Sequence, residues 1–340
     1  MRMLFWRGRL PALILGLVLV TGCNDEGGGG TFYARDSFDT DNGRINVVTT
    51  VAPLTDIVRQ IGGDRIDLFG IIPDGTDSHT FEPKPSDAKQ LSKADLVIVN
   101  GLHLEDPTLK LAEANLRQGA EIKKLGDNTV SERDYIYDFS FPKEEGNPNP
   151  HLWMNPKYAL RYAELTRDWL AEKDATNADY YRANYDRFKA RIEQLDAGIR
   201  QATQTVPEQN RRLLTYHDSW AYWAREYGWQ VIGAVQPSDL KEPRPQDTAA
   251  VIDQIKREKV PAIFGSEVFP SKVLQQIARE TGATYIDKLS DDAPPGKPGD
   301  KDHTYVGMML YDMGIMLPAL GGNADALKGI DPGATYARGG

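Results

Sequence analysis

The sequence predicts an α/β protein of two lobes, each with a parallel four-stranded sheet flanked by helices, on either side of one long helix. Three observations carry this. The 340 residues suffice for two domains of ordinary size. Strand-like and helix-like patterns alternate twice along the chain, which implies parallel pairing and right-handed crossovers. Between the two series, Tyr181, Tyr185, Phe188, Ile192, Leu195 and Ile199 recur at spacings of four and three. They lie on one helical face, with Arg182, Asp186, Lys189, Glu193 and Arg200 off it. A helix over 178–204 would be on the order of 40 Å long, at about 1.5 Å per residue, longer than one small domain needs.

Taken in order, Arg2, Arg7 and Arg9 precede the apolar run 10–20 and then Thr21-Gly22-Cys23. A basic start, a short apolar core and small residues form a secretory signal over 1–22. The run is too short for a membrane-spanning helix. Val20-Thr21-Gly22-Cys23 also resembles the lipobox of bacterial lipoproteins, and the chain's one cysteine stands where lipidation needs it. Cys23 is therefore expected to be a lipid anchor on the outer face of the cytoplasmic membrane. Residues 23–44 are expected to be a flexible tether, with four consecutive glycines at 27–30.

The first lobe is read over 45–177. Strands are expected at 45–51, 66–72, 95–100 and 121–125, from β-branched apolar runs bounded by turn residues. Pro53, Pro85 and Pro107 mark helix starts. An irregular segment, 126–149, leads to Pro150-His151-Leu152-Trp153-Met154-Asn155-Pro156 and a helix near 158–172. The second lobe is read over 205–340, with strands at 212–216, 229–235, 260–265 and 283–287. A Pro/Gly/Asp-rich loop at 291–302 and a closing apolar helix at 304–320 follow.

Composition excludes several functions. The net charge of -9 argues against nucleic acid as a partner. One cysteine excludes an internal disulfide and a Cys-rich zinc site. GxGxxG, P-loop and GxSxG patterns are missing.

The chain has five histidines. In open α/β sheets, ligands bind beyond the carboxyl ends of strands. His79 follows the second strand, His151 the last strand of the first lobe, and His217 the first strand of the second. Asp291 and Asp292 follow the final strand. If the lobes face each other, these groups converge. Imidazoles with a carboxylate suit zinc or manganese, whereas a single histidine after a strand is more often a loop residue.

Longer motifs decide the matter. Asp77-Ser78-His79-Thr80-Phe81-Glu82-Pro83, Asn100-Gly101-Leu102-His103-Leu104-Glu105, the His151 motif, Tyr216-His217-Asp218-Ser219-Trp220 and Leu289-Ser290-Asp291-Asp292 occur in this order. Together they resemble the metal receptors of ABC importers, solute-binding protein family 9. The resemblance implies a metal bound between the lobes by His79, His151, His217 and Asp291, with Asp292 in reserve. It further implies delivery of the ion to an ABC transporter permease by an exported monomer held to the membrane by its N-terminal lipid. Zinc is favoured as the transported ligand and manganese is admitted. Zinc-specialised members often carry a His-rich loop that 126–149 lacks, and manganese-specialised members usually have Glu where His217 stands. An adhesin of the same fold and a zinc hydrolase, with three histidines and Glu267 as base, are the alternatives. Glu267 is read as a hydrogen-bond acceptor behind the ligands, an occasional ligand or, most simply, a helix-start carboxylate. Asp218 is a candidate to orient His217. His103 is expected to be structural and His303 solvated.

Overall fold

The computed structural model describes residues 38, 42–236, 243–268 and 272–337. The signal segment, Cys23 and most of the tether lie outside the described residues. Among the described residues no helix is long and apolar enough to cross a membrane.

The first sheet contains β1 (Ile45–Thr49), β2 (Ile66–Gly70), β3 (Leu96–Val99) and β4 (Glu121–Lys124), all parallel in the order β2-β1-β3-β4. Helices α1 (Ala52–Gly62), α2 (Pro85–Leu91) and α3 (Asp106–Asn115) connect these strands. Helix α4 (Pro156–Lys173) then leads into α5 (Ala178–Thr203). The second sheet repeats the topology. Strands β5 (Arg212–Thr215), β6 (Gln230–Ala234), β7 (Ala262–Ser266) and β8 (Thr284–Leu289) are parallel in the order β6-β5-β7-β8. Its helices are α6 (Ala221–Tyr227), α7 (Pro245–Glu258) and α8 (Lys272–Thr281), and α9 (Tyr305–Ala319) closes the fold. Helices α1, α2, α3, α4 and α7 each place a proline in their first two positions, where its missing N–H has no helical partner to lose.

The six periodic residues of α5 are all buried. The helix packs on α4, α1 and α9. Gly198 lies within it because the chain returns there. A Cβ at that position would stand 2.7 Å from Leu327 Cδ2. Beyond Leu327 the chain runs back along α5 to the first lobe, where Thr335 N–H donates to Gln60 Oε1 and Tyr180 Oη to the Ala337 carbonyl.

The loops at the carboxyl ends of the strands carry the polar residues of interest. Loop 71–84 follows β2, 216–220 follows β5 and 290–304 follows β8. The segment 126–155 joins β4 to α4.

Candidate metal centre

His79, His151 and His217 meet at one point, each offering a ring nitrogen within 4.8 Å of the others. His79 Nε2 is 3.1 Å from His151 Nε2, which is 3.2 Å from His217 Nε2. His151 and His217 are buried and His79 is half-buried. Phe141 packs against all three rings and Trp153 against His151, giving the cluster an aromatic wall.

The outer nitrogens fix what the inner ones present. The His151 backbone N–H donates to Asn149 Oδ1, and His151 Nδ1 lies 2.9 Å from the same oxygen. Asn149 Nδ2 donates to Asp138 Oδ2 and to the Asp218 carbonyl, so the amide cannot turn round. His151 Nδ1 must therefore carry the proton, leaving Nε2 a bare lone pair. His217 Nδ1 faces Gln236 Oε1 at 3.0 Å with the same consequence. Two lone pairs thus face each other at 3.2 Å with no proton between them. That arrangement is repulsive unless a cation sits at the meeting point.

Electrostatics keep the rings neutral. Burial and the His217 charge hold His79 well below the usual imidazole value, and burial with both neighbours does the same to His151. Burial also lowers His217, opposed by Asp291, Asp77 and the Gln236 hydrogen bond. Neutral imidazole is the form that coordinates a metal.

The other anticipated residues take varied places. Asp291 is buried beside the cluster, near enough for its charge to act on His217, but its carboxylate is not one of the converging groups. Its Oδ1 accepts from Ser266 Oγ at 3.2 Å and its carbonyl from Trp153 Nε1 at 2.8 Å. Asp292 turns to the first lobe, accepting from the Ser78 amide and hydroxyl at 3.0–3.1 Å. Glu267 corrects the simplest reading of it. Its Oε1 accepts three successive amides, from Asp291, Asp292 and Ala293, and so shapes the loop that bears Asp291. Asp218 meets the site through its backbone, since its N–H donates to Ser140 Oγ and Gln236 takes the place beside His217. His103 is exposed and pairs with Asp106 at 3.1 Å. His303 is another correction. It is buried, and its Nε2 lies 3.2 Å from Asp74 Oδ2.

Asn149, Gln236 and Asp77, which accepts the His79 amide at 2.9 Å, are positioning residues that sequence reasoning missed. An Asp two residues before a histidine is an Asx-turn signal that was available. Gln236 has no such local mark.

Residues 47–316 match the family model described as zinc-uptake complex component A, periplasmic. The chain is 28% identical to the metal ABC transporter substrate-binding lipoprotein FimA of Streptococcus parasanguinis, over 80% of this chain and 88% of that protein. It is 30% identical to the iron-binding protein YfeA of Yersinia pestis, over 78% of this chain and 83% of the relative. Among solved structures, the periplasmic zinc binding protein TroA from Treponema pallidum superposes with a TM-score of 0.74 at 27% identity, covering 82% of this chain and 99% of TroA.

Proposed function

The chain belongs to the family of periplasmic zinc-uptake component A proteins, and we propose that it is an extracytoplasmic receptor that captures one divalent transition metal ion for an ABC permease. The observation that carries this reading is the meeting of His151 and His217 with unprotonated nitrogens at 3.2 Å. His79 completes a three-nitrogen face, and Asp291 is the fourth ligand, reached by a short movement of its loop. The ion is cargo, so the site must hold it firmly and also release it. Four protein ligands leave no open position for an activated water, which favours a receptor over a hydrolase.

Zinc is the preferred cargo in this reading. A tetrahedral zinc with Zn–N bonds of about 2.0–2.1 Å separates neighbouring nitrogens by roughly 3.3–3.4 Å, close to the spacing here. A bidentate Asp291 raises the coordination number and admits manganese, which prefers more oxygen ligands and stands lower in the divalent affinity order. Export, lipidation of Cys23 and a monomeric state complete the proposal. One acyl chain gives only marginal membrane binding, so more than one is expected on that cysteine.

Competition titration of metal-free protein tests the reading, with zinc and manganese at comparable concentrations. One saturable zinc site that manganese fills but does not win is expected. Displacement of zinc by equimolar manganese would overturn the ranking, and failure to bind either ion would overturn the receptor.

A further inference from the structure

Residues 290–304 form a strap. They leave the second sheet at β8, pass the cluster with Asp291 and Asp292, and land on the first lobe. The Tyr305 amide ends the strap by donating to Asp56 Oδ2 of α1 at 2.7 Å. Just before that landing, His303 is only 1% exposed. Its Nδ1 lies 3.1 Å from the Pro295 carbonyl, within the strap itself. Its Nε2 lies 3.2 Å from Asp74 Oδ2, in the loop that bears His79.

Both partners are acceptors only. A neutral imidazole has one N–H and one lone pair, so one of these contacts would set a lone pair against an oxygen. The doubly protonated ring satisfies both. With the ring doubly protonated, the Nε2 contact to Asp74 is an ion pair. We infer that His303 is a positioning residue for metal capture: as an imidazolium bound to Asp74, it clasps the Asp291 strap to the His79 loop and sets the spacing of ligands from opposite lobes. This rests on the receptor reading. It also gives that reading a regulated element, because the clasp loosens when His303 loses its proton.

The charged groups facing His303 agree. Asp74 approaches from the loop after β2 and Asp56 from α1, with Arg59 acting on Asp56 in turn. Burial, the largest single influence, lowers the His303 value, but the hydrogen bond and charge of Asp74, then the Pro295 carbonyl and Asp56, together outweigh it and raise the value. A histidine raised on folding contributes its stabilisation fully below the unfolded value, about 6.5, and loses it as pH rises through the folded one. The clasp therefore weakens on the alkaline side, whereas protonation of the ligand histidines weakens capture on the acid side.

The test compares wild type, His303→Gln, Asp74→Asn and the double variant. Zinc-loaded protein is mixed with a chromogenic chelator, and release is timed from about pH 6 to about pH 9. Each single variant should release zinc roughly tenfold faster than wild type near pH 6, the factor a net 1.4 kcal/mol provides, with the ratio falling toward one near pH 9. The double variant should match the singles, since both remove one contact. Melting temperatures of the metal-free proteins should differ in the same pH-dependent way. A ratio constant across the range, or additive effects of the two changes, would overturn the clasp. Wild-type protein that takes up no zinc would sink the receptor reading instead, and the melting profiles would still decide the clasp. Asp74→Asn keeps the test intact should His303→Gln fail to fold.

Discussion

The two lobes share a strand order and differ in how their sheets are covered. In the first, Val47 and Val48 point to opposite faces, yet both join one continuous core, as do Leu96, Val97, Ile98 and Val99. In the second, the faces part company. Leu213, Ala262 and Phe264 belong to the large core, whereas Leu214 and Ile263, their neighbours in sequence, belong to a smaller cluster with Ile252, Ile255, Leu274 and Ile277 from α7 and α8. Strand alternation divides the lobe. One face joins the core shared with α5, α6 and α9, and among the described residues the other is covered by α7 and α8. The edge strands agree, for β8 has three exposed residues where β4 has none. The large core carries His79 and His151 and anchors one side of the second sheet. The third imidazole and the Asp291 strap stand where the more lightly covered lobe meets it.

The largest losses are expected from substituting the clustered histidines that each lobe supplies. His151→Ala and His217→Ala should each weaken zinc binding by well over a hundredfold, beyond the factor of about 10–100 usual for outer-shell changes. Isothermal titration reads this directly. His103→Ala should leave the affinity unchanged. If only the first lobe's histidines mattered, the second would be a cover and not a partner.

Core truncation sharpens the contrast in stability. Leu54→Ala in α1 and Leu274→Ala in α8 both remove fully buried side chains and should each cost about 2–5 kcal/mol locally. Hydrogen exchange should separate them. Leu54→Ala should lower protection across the first lobe and α5, whereas Leu274→Ala should open α7 and α8 and spare β1 and β3. Equal spreading from both would mean one cooperative unit.

Outer-shell changes come next. Asn149→Ala and Gln236→Ala should weaken zinc by about 10–100-fold, because each frees a ring to adopt the wrong tautomer. Acidity adds a smaller, graded effect. His79, His151 and His217 are depressed by burial, so the unfolded chain binds protons that the folded chain refuses. Zinc affinity should therefore fall as pH drops below about 6.5, because protons compete with the metal for these rings, and titration at a series of pH values reads this. Overall size should change least. One unbroken α5 under both lobes resists a wide hinge, so small-angle scattering should show little compaction on metal binding.

Much of the fold was legible because periodicity reports burial directly. The α5 stripe and the β-branched runs of β1 and β3 are dictated by the faces they cover, and prolines mark the helix starts. The three histidines could be placed at strand ends and in motifs, although convergence depends on how two lobes face each other. His303 was illegible for a different reason. It follows a run of Pro, Gly and Asp that reads as solvated, and its partner Asp74 is 229 residues earlier in the chain. Glu267 misleads in the same way. A carboxylate just after a strand looks like the start of a helix until the loop at 291–293 folds its amides onto it. Local sequence carries element type well and carries long-range polar pairing poorly.

If imidazoles from both lobes hold one divalent metal, all three must appear in the metal's coordination shell. X-ray absorption at the zinc edge of stoichiometrically loaded protein tests it most directly. Three imidazole nitrogens at about 2.0–2.1 Å with one or two oxygens are expected, and loss of one nitrogen in His217→Ala. A first shell dominated by oxygen, or a spectrum unchanged by His217→Ala, would contradict it.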